Sequence, residues 1–80
     1  MDEELEQAVR TLDGLRRTIE DSYRESQETG DTRRMNMALQ RFRVRSRSIQ
    51  SSQPQAYAEW LKGNARFLRA IEEGRNPILC

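Results

Sequence analysis

The segment Thr29-Gly30-Asp31 separates two long stretches of helical periodicity in the first part of the sequence. Gly30 readily takes the left-handed conformation that ends a helix, and the Asp31 side chain can cap the next helix. A connection this short brings the two helices side by side in opposite directions. The segment therefore predicts an antiparallel helical hairpin.

The predicted first helix spans residues 2–27 and carries one apolar stripe. Its members recur at steps of three and four residues, the period of an amphipathic helix. They are Leu5, Ala8, Val9, Leu12, Leu15, Ile19 and Tyr23. Leu5, Leu12 and Ile19 lie a heptad apart, the spacing found where helices pack side by side.

The predicted second helix spans residues 32–49. One of its faces carries Met35, Ala38, Leu39, Phe42 and Ile49. Within it, residues 41–47 alternate arginine with other side chains, which also fits a half-buried strand. We reject the strand because the sequence offers no second strand to pair with it.

The predicted third helix spans residues 54–73. The segment Ser51-Ser52-Gln53-Pro54 separates it from the second helix. Since proline fits the first turn of a helix, Pro54 is the predicted first residue of the third helix. Its apolar positions again have helical spacing and are Tyr57, Trp60, Leu61, Phe67, Leu68 and Ile71. Gly74 and Pro77 end the helix and leave a tail over residues 74–80.

These elements predict an all-α fold, in which the antiparallel hairpin and the third amphipathic helix form a small three-helix bundle. We treat residues 1–80 as a single helical domain. A chain of 80 residues buries only a modest core. We therefore expect extra stabilisation from close helix packing, from a homodimer or from a bound partner.

The charges are distributed unevenly, although the formal net charge is only +1. Residues 1–31 hold ten acids and four arginines, a net charge of −6, whereas residues 32–58 hold six arginines and no acid. Such asymmetry bears on partners and association rather than on fold. A GC-rich genome explains why 13 of the 14 cations are arginine, since this preference extends into the last segment.

The acid-free segment supplies the main candidate binding residues, which are Arg33, Arg34, Arg41, Arg43, Arg45 and Arg47. Our first hypothesis is a protein–protein interaction module, acting as an adaptor, inhibitor or assembly factor, whose arginines pair with an acidic partner surface. The alternative is a nucleic-acid-binding helical protein that places these arginines on phosphates. A third interpretation is that they pair internally with the acids of the first helix.

Tyr57 and Trp60 are the second set of candidate partner-binding residues. Aromatic side chains near the start of a helix can anchor in a pocket of a partner. The same spacing is also typical of the core of a small bundle. The sequence leaves both interpretations open.

The sequence lacks the residues that most catalytic and metal sites need. It contains no histidine and a single cysteine, Cys80, so the commonest general base and metal ligand are missing. We therefore expect no enzyme, no metal and no cofactor. The acidic N-terminal residues and the lack of a long apolar run predict neither a signal peptide nor a membrane span. We expect a cytoplasmic protein of a bacterium, or of a virus-infected host cell.

Overall fold

A computed structural model describes residues 3–79, without the side chain of Leu79. Within that range the chain forms helix α1 (Glu3–Thr29), helix α2 (Arg33–Ser52), helix α3 (Pro54–Glu72) and a short 3₁₀ helix at Pro77–Leu79. All three pairs of α-helices are in contact. The described part of the chain is therefore a three-helix bundle, as the sequence predicts. Asp2, the predicted first helical residue, and Cys80 lie outside the described residues.

The connection between α1 and α2 follows the sequence prediction at Gly30 but differs from it at the predicted cap. Gly30 has a φ of 77°, and its N–H donates to the Ser26 carbonyl at 2.9 Å. The Asp31 carboxylate accepts a hydrogen bond from the Arg33 N–H at 3.0 Å. The N-cap residue is Thr32 rather than the predicted Asp31, and its side chain makes no capping hydrogen bond. The negative charge of Asp31 nevertheless lies near the positive pole of α2, where Arg33 and Arg34 alone would oppose the helix dipole.

Helices α1 and α2 each end slightly later in the sequence than the apolar pattern predicts. Helix α1 continues two residues past the predicted end, and α2 continues three residues to Ser52. Pro54 stands in the first turn of α3, and Gly74, with a φ of 71°, follows its end. Pro77 is buried, and its 3₁₀ helix packs on α1 and α3.

The core runs along the bundle axis and takes side chains from all three helices. Its buried apolar members are Ala8, Leu12, Ile19, Ala38, Phe42, Ile49, Ala56, Trp60, Phe67 and Ala70. The Phe42 ring packs edge-on against Phe67 at 5.8 Å between centroids and lies 5.9 Å from Trp60. Such aromatic contacts add directional stabilisation to the burial of apolar area.

Three buried serines extend the core at positions that the apolar pattern does not include. Ser22 and Ser26 continue the stripe of α1 beyond Ile19, and Ser46 lies between Phe42 and Ile49 on α2. The Ser26 hydroxyl donates to the Tyr23 carbonyl at 2.7 Å, which satisfies its polar group within the helix.

Candidate interaction surface on the second helix

The solvent-facing sides of α2 carry four arginines without an ion pair to any described residue. They are Arg41, Arg43, Arg45 and Arg47, and all four are exposed. The ion pairs that the structure describes involve other cations. Helix α2 contains no acid, and we call these four arginines together the arginine surface. They occupy two flanks of the helix, since Arg43 and Arg47 line a groove shared with α3 whereas Arg45 lines one shared with α1.

The two arginines at the start of α2 are paired instead. Arg34 lies 3.5 Å from the Glu25 carboxylate of α1, and Arg33 makes a short ion pair of 2.8 Å with Asp31. The interpretation that the arginines pair internally with the first helix therefore describes Arg34 alone. Arg33 pairs within the connection, and the arginine surface begins after it.

The pKa values at the connection follow from this pairing. Hydrogen bonds from the Arg33 side chain and then from its backbone lower the pKa of Asp31 below its usual value. The same carboxylate raises the pKa of Arg33. Both groups are fully exposed, so water screens the pair and it contributes little to stability.

Two apolar side chains stand among the arginines on the outer side of α2. Met37 is 65% exposed and Val44 is 62% exposed, and they are the large hydrophobic residues that the described part of the chain leaves in solvent. They lie seven residues apart, which is two helical turns on the same side of the helix. The arginine surface therefore has a small apolar element of its own.

A groove of about 400 Å³ runs between α2 and α3 beside this surface. Arg43 and Arg47 form its α2 rim, Glu72 forms part of its α3 rim, and Leu68 and Ile71 form part of its floor. Both floor residues are half-buried. The groove thus combines apolar lining residues with a positive α2 rim and a negative residue on its α3 rim.

Tyr57 lines the same groove and is half-buried. Burial, and then the charge of Glu72, raises the pKa of the Tyr57 hydroxyl above its usual value. Its ring lies beside the core, 6.1 Å from the Trp60 ring between centroids. Of the two aromatic candidates, Tyr57 is therefore the one that a partner can reach.

Trp60 belongs to the core, and its prediction as a partner-binding residue needs correction. Its side chain is 2% exposed, and its indole Nε1–H donates to the Asp13 carboxylate of α1 at 2.9 Å. Its ring also meets Phe67 edge-on at 6.4 Å between centroids. These contacts enclose the ring, so a partner cannot contact it in this conformation.

The opposite side of the bundle, between α1 and α3, shows how this protein satisfies an arginine. The Arg16 guanidinium lies 4.5 Å from the centre of the Phe67 ring, and it donates to the Glu20 carboxylate and to the side-chain amide oxygen Oδ1 of Asn64. Asn64 in turn donates to the Trp60 carbonyl at 2.7 Å. No comparable network surrounds the arginine surface within the described residues.

The sequence did not indicate two parts of the candidate surface. The exposure of Val44 was not predicted, although its position outside the apolar stripe of α2 indicates that it faces solvent. The groove depends on how far α2 and α3 stand apart, which the spacing of apolar residues does not determine.

Residues 3–79 contain neither a metal-binding cluster nor a candidate membrane span. That range holds no cluster of three or more histidine, cysteine, aspartate or glutamate side chains arranged to bind a metal ion. None of the described helices is both long enough and apolar enough to cross a membrane. No protein-family model matches the chain, and no curated protein or solved structure is significantly similar to it.

Proposed function

We propose that this protein is a helical protein–protein interaction module that binds an acidic surface of another protein through α2. The observation that carries the proposal is the arginine surface, in which Arg41, Arg43, Arg45 and Arg47 have no ion pair to a described residue. Arginine forms forked hydrogen bonds with carboxylates and is enriched at the energetic centres of interfaces.

The arrangement of these arginines is unfavourable for the isolated chain. Arg41 and Arg45 are four residues apart on one helix, and so are Arg43 and Arg47. Like charges at this spacing each destabilise a helix by about 0.2–0.5 kcal/mol. Carboxylates of a bound partner would reverse the sign of this interaction, so a binding role accounts for an arrangement that folding alone does not favour.

The charges also favour a different protein over a second copy of this chain. A twofold axis that placed two α2 surfaces against each other would oppose arginine to arginine across the interface. The exposed apolar side chains on that surface are Met37 and Val44, whose burial is too small to offset several opposed charges. We therefore propose an acidic heterologous partner in preference to a homodimer through α2.

Nucleic acid is the second candidate, since the same four arginines could contact phosphates. Binding would then weaken steeply with salt, because each neutralised phosphate releases counterions. Stacking on bases has no support on this surface, because Phe42, the aromatic residue of α2, is only 2% exposed. Gel-shift titrations with duplex DNA and single-stranded RNA at low salt test this candidate directly.

The decisive experiment captures partners from cells, purifies the protein found and measures direct binding by calorimetry. We expect the triple variant Arg41→Glu, Arg43→Glu and Arg47→Glu to weaken this binding by about tenfold or more. The matched control reverses Arg10, Arg17 and Arg66, which are exposed on α1 and α3, and gives the same net charge.

The control variant should retain most of the affinity of the parent. Equal losses in both triple variants would show that net charge alone governs binding and would contradict the proposal. Unchanged affinity in the α2 variant would contradict it as well. Tight binding of nucleic acid at low salt, lost in the α2 variant only, would favour the second candidate.

A further inference from the structure

Arg45 lines a groove on the α1 side whose lining is mainly polar and includes Glu4. The groove between α2 and α3 differs from it in exposing more apolar surface, including Leu68 and Ile71. Leu68 and Ile71 lie three residues apart on α3, and Arg43 and Arg47 lie four residues apart on the facing rim of α2. The members of the first pair are therefore about 4.5 Å apart along the helix axis and those of the second about 6 Å, close to one helical turn in each case. Apolar and charged groups thus repeat along the groove with the same period.

We infer that this groove binds an amphipathic helix of the partner, with its acidic flank toward α2, as a fourth helix of the bundle. The inference rests on the proposed function and specifies where and how the acidic partner binds. A helix presents an apolar stripe and flanking charges at one-turn intervals, which matches both the floor and the rim. Helix-in-groove binding is a recurring mode of peptide recognition.

The two rims of the groove give the bound helix an orientation. Arg43 and Arg47 on the α2 rim attract carboxylates, whereas Glu72 on the α3 rim repels them. The partner helix should therefore carry acidic residues along one flank and neutral or basic residues along the other. Glu72 would also repel the phosphates of a nucleic acid that lay along the groove. Leu68 and Ile71 cannot form hydrogen bonds or ion pairs with such a backbone.

The length of the flanking helices suits a helical ligand. Helix α2 has 20 residues and α3 has 19, which correspond to about 30 Å of axis each. A partner helix of about four to five turns would run beside both. Its apolar stripe would cover the exposed parts of Leu68, Ile71 and Tyr57, which now face solvent in the groove.

The test uses the full chain and a synthetic helical peptide of about 18 residues. The peptide carries leucines at three-and-four spacing, glutamates along one flank and lysines along the other. A second peptide has the same composition in a scrambled order that distributes the leucines around the helix. Binding is measured by calorimetry, and the contacted residues are located by NMR chemical-shift changes.

We expect the amphipathic peptide to bind with shift changes at Tyr57, Leu68 and Ile71, and the scrambled peptide to bind more weakly. The variant Arg43→Glu with Arg47→Glu should lose about tenfold in affinity for the amphipathic peptide. The matched variant Arg41→Glu with Arg45→Glu has the same net charge but alters arginines outside this groove. It should change the affinity little.

A peptide that carries lysines along both flanks should restore binding to the Arg43→Glu, Arg47→Glu variant, because both rims of the groove are then acidic. Thermal melts confirm that both double variants are folded, which is expected since all four arginines are exposed.

Three outcomes would overturn the groove inference while leaving the proposed function standing. They are equal binding of the scrambled peptide, equal losses in both double variants, and no shift change in the groove at millimolar peptide. The affinity of the native partner for the triple α2 variant decides the proposed function separately. Duplex DNA that outcompetes the peptide and depends on Arg43 and Arg47 would overturn both proposals.

Discussion

The α1–α3 side of the bundle and the arginine surface of α2 both present arginine at the edge of the core, with opposite results. Arg16 on α1 lies over the Phe67 ring and is held by Glu20 and Asn64. Arg43 and Arg47 on α2 border an apolar groove and have no ion pair to a described residue. Arg16 thus makes its polar contacts within the chain, whereas Arg43 and Arg47 remain available to the proposed partner.

The difference arises from the distribution of acids rather than from the arginines themselves. Arg16 lies four residues before Glu20 on the same helix, so its carboxylate partner is supplied locally. Helix α2 contains no acid at all, so its arginines depend on neighbouring helices. The Arg34–Glu25 pair shows that α1 provides such a contact near the connection. The comparison predicts that stability resides on the first side and binding on the second.

The largest expected effect is on the α1–α3 side and follows from Phe67→Ala. Phe67 is fully buried and contacts Phe42, Trp60 and Arg16. Truncating a buried phenylalanine lowers the free energy of unfolding by about 3–5 kcal/mol. Urea unfolding followed by circular dichroism measures the loss.

For a domain this small the change can abolish the cooperative transition. Val44→Ala on α2 is the matched control, because Val44 is 62% exposed and should change stability by less than about 0.5 kcal/mol. Similar losses in the two variants would contradict the division of roles between the two sides.

Asp13→Ala is expected to have the next largest effect. It removes the acceptor of the Trp60 indole N–H, and a hydrogen bond to a charged group contributes about 1.5–3 kcal/mol. Asp13 is itself exposed, so water can replace part of this bond and the loss should lie near the lower value. Asp21→Ala, which removes an exposed partner of Arg24 only, should be nearly neutral in the same unfolding measurement.

Glycine substitutions should change stability in opposite directions at two positions. Gly14 is in the interior of α1, and a methyl group there would meet nothing within 4 Å. Gly14→Ala should therefore stabilise the bundle by up to about 1 kcal/mol. Gly30→Ala should destabilise it by about 1 kcal/mol, because Gly30 has a φ of 77°. Thermal melts of the two variants compare the effects, and a shift in the same direction would contradict this assignment.

Neutralising the arginine surface should leave stability nearly unchanged. Arg43→Gln with Arg47→Gln removes a like-charge pair and no described ion pair, so we expect unfolding free energies equal to or slightly above the parent, by at most about 0.5 kcal/mol. A clear loss of stability would show that these arginines hold the hairpin together.

The smallest effect concerns the pH dependence of the first connection. Arg33 lowers the pKa of Asp31 in the folded state, so this carboxylate stabilises the fold above its unfolded-state pKa. The contribution is lost as the pH falls through the lowered folded-state value. Asp31→Ala should therefore reduce the melting temperature at neutral pH, and the difference from the parent should disappear in strong acid. A difference that persists there would contradict a role for the ionised carboxylate.

The sequence was sufficient to predict the elements because its signals were local. Gly30 and Pro54 occur at the two connections, and Leu12, Ile19 and Phe67 are buried where the helical period placed them. The serines of the core were not predicted because serine is not counted as apolar. Their positions nevertheless keep the three-and-four spacing of the buried stripes.

The candidate surface was less predictable because it depends on contacts between helices. The opposite charges of the first two segments allowed extensive internal ion pairing. Among the described residues, however, the ion pair that joins α1 to α2 is Glu25 with Arg34. Tyr57 and Trp60 occur three residues apart on the same helix, but one lines a groove and the other is enclosed. The packing of the helices determines which of these side chains is exposed, and the spacing of residues in the sequence does not predict it.

The enclosed position of the single tryptophan gives this protein a built-in spectroscopic reporter. Trp60 is the only tryptophan in the sequence, and it contacts Phe42, Phe67 and the Asp13 carboxylate rather than solvent. Its fluorescence should therefore shift to longer wavelength when the bundle unfolds and should respond little when a ligand occupies the arginines of α2. Emission spectra recorded during a titration would thus distinguish a variant that has lost its binding surface from one that has lost its fold.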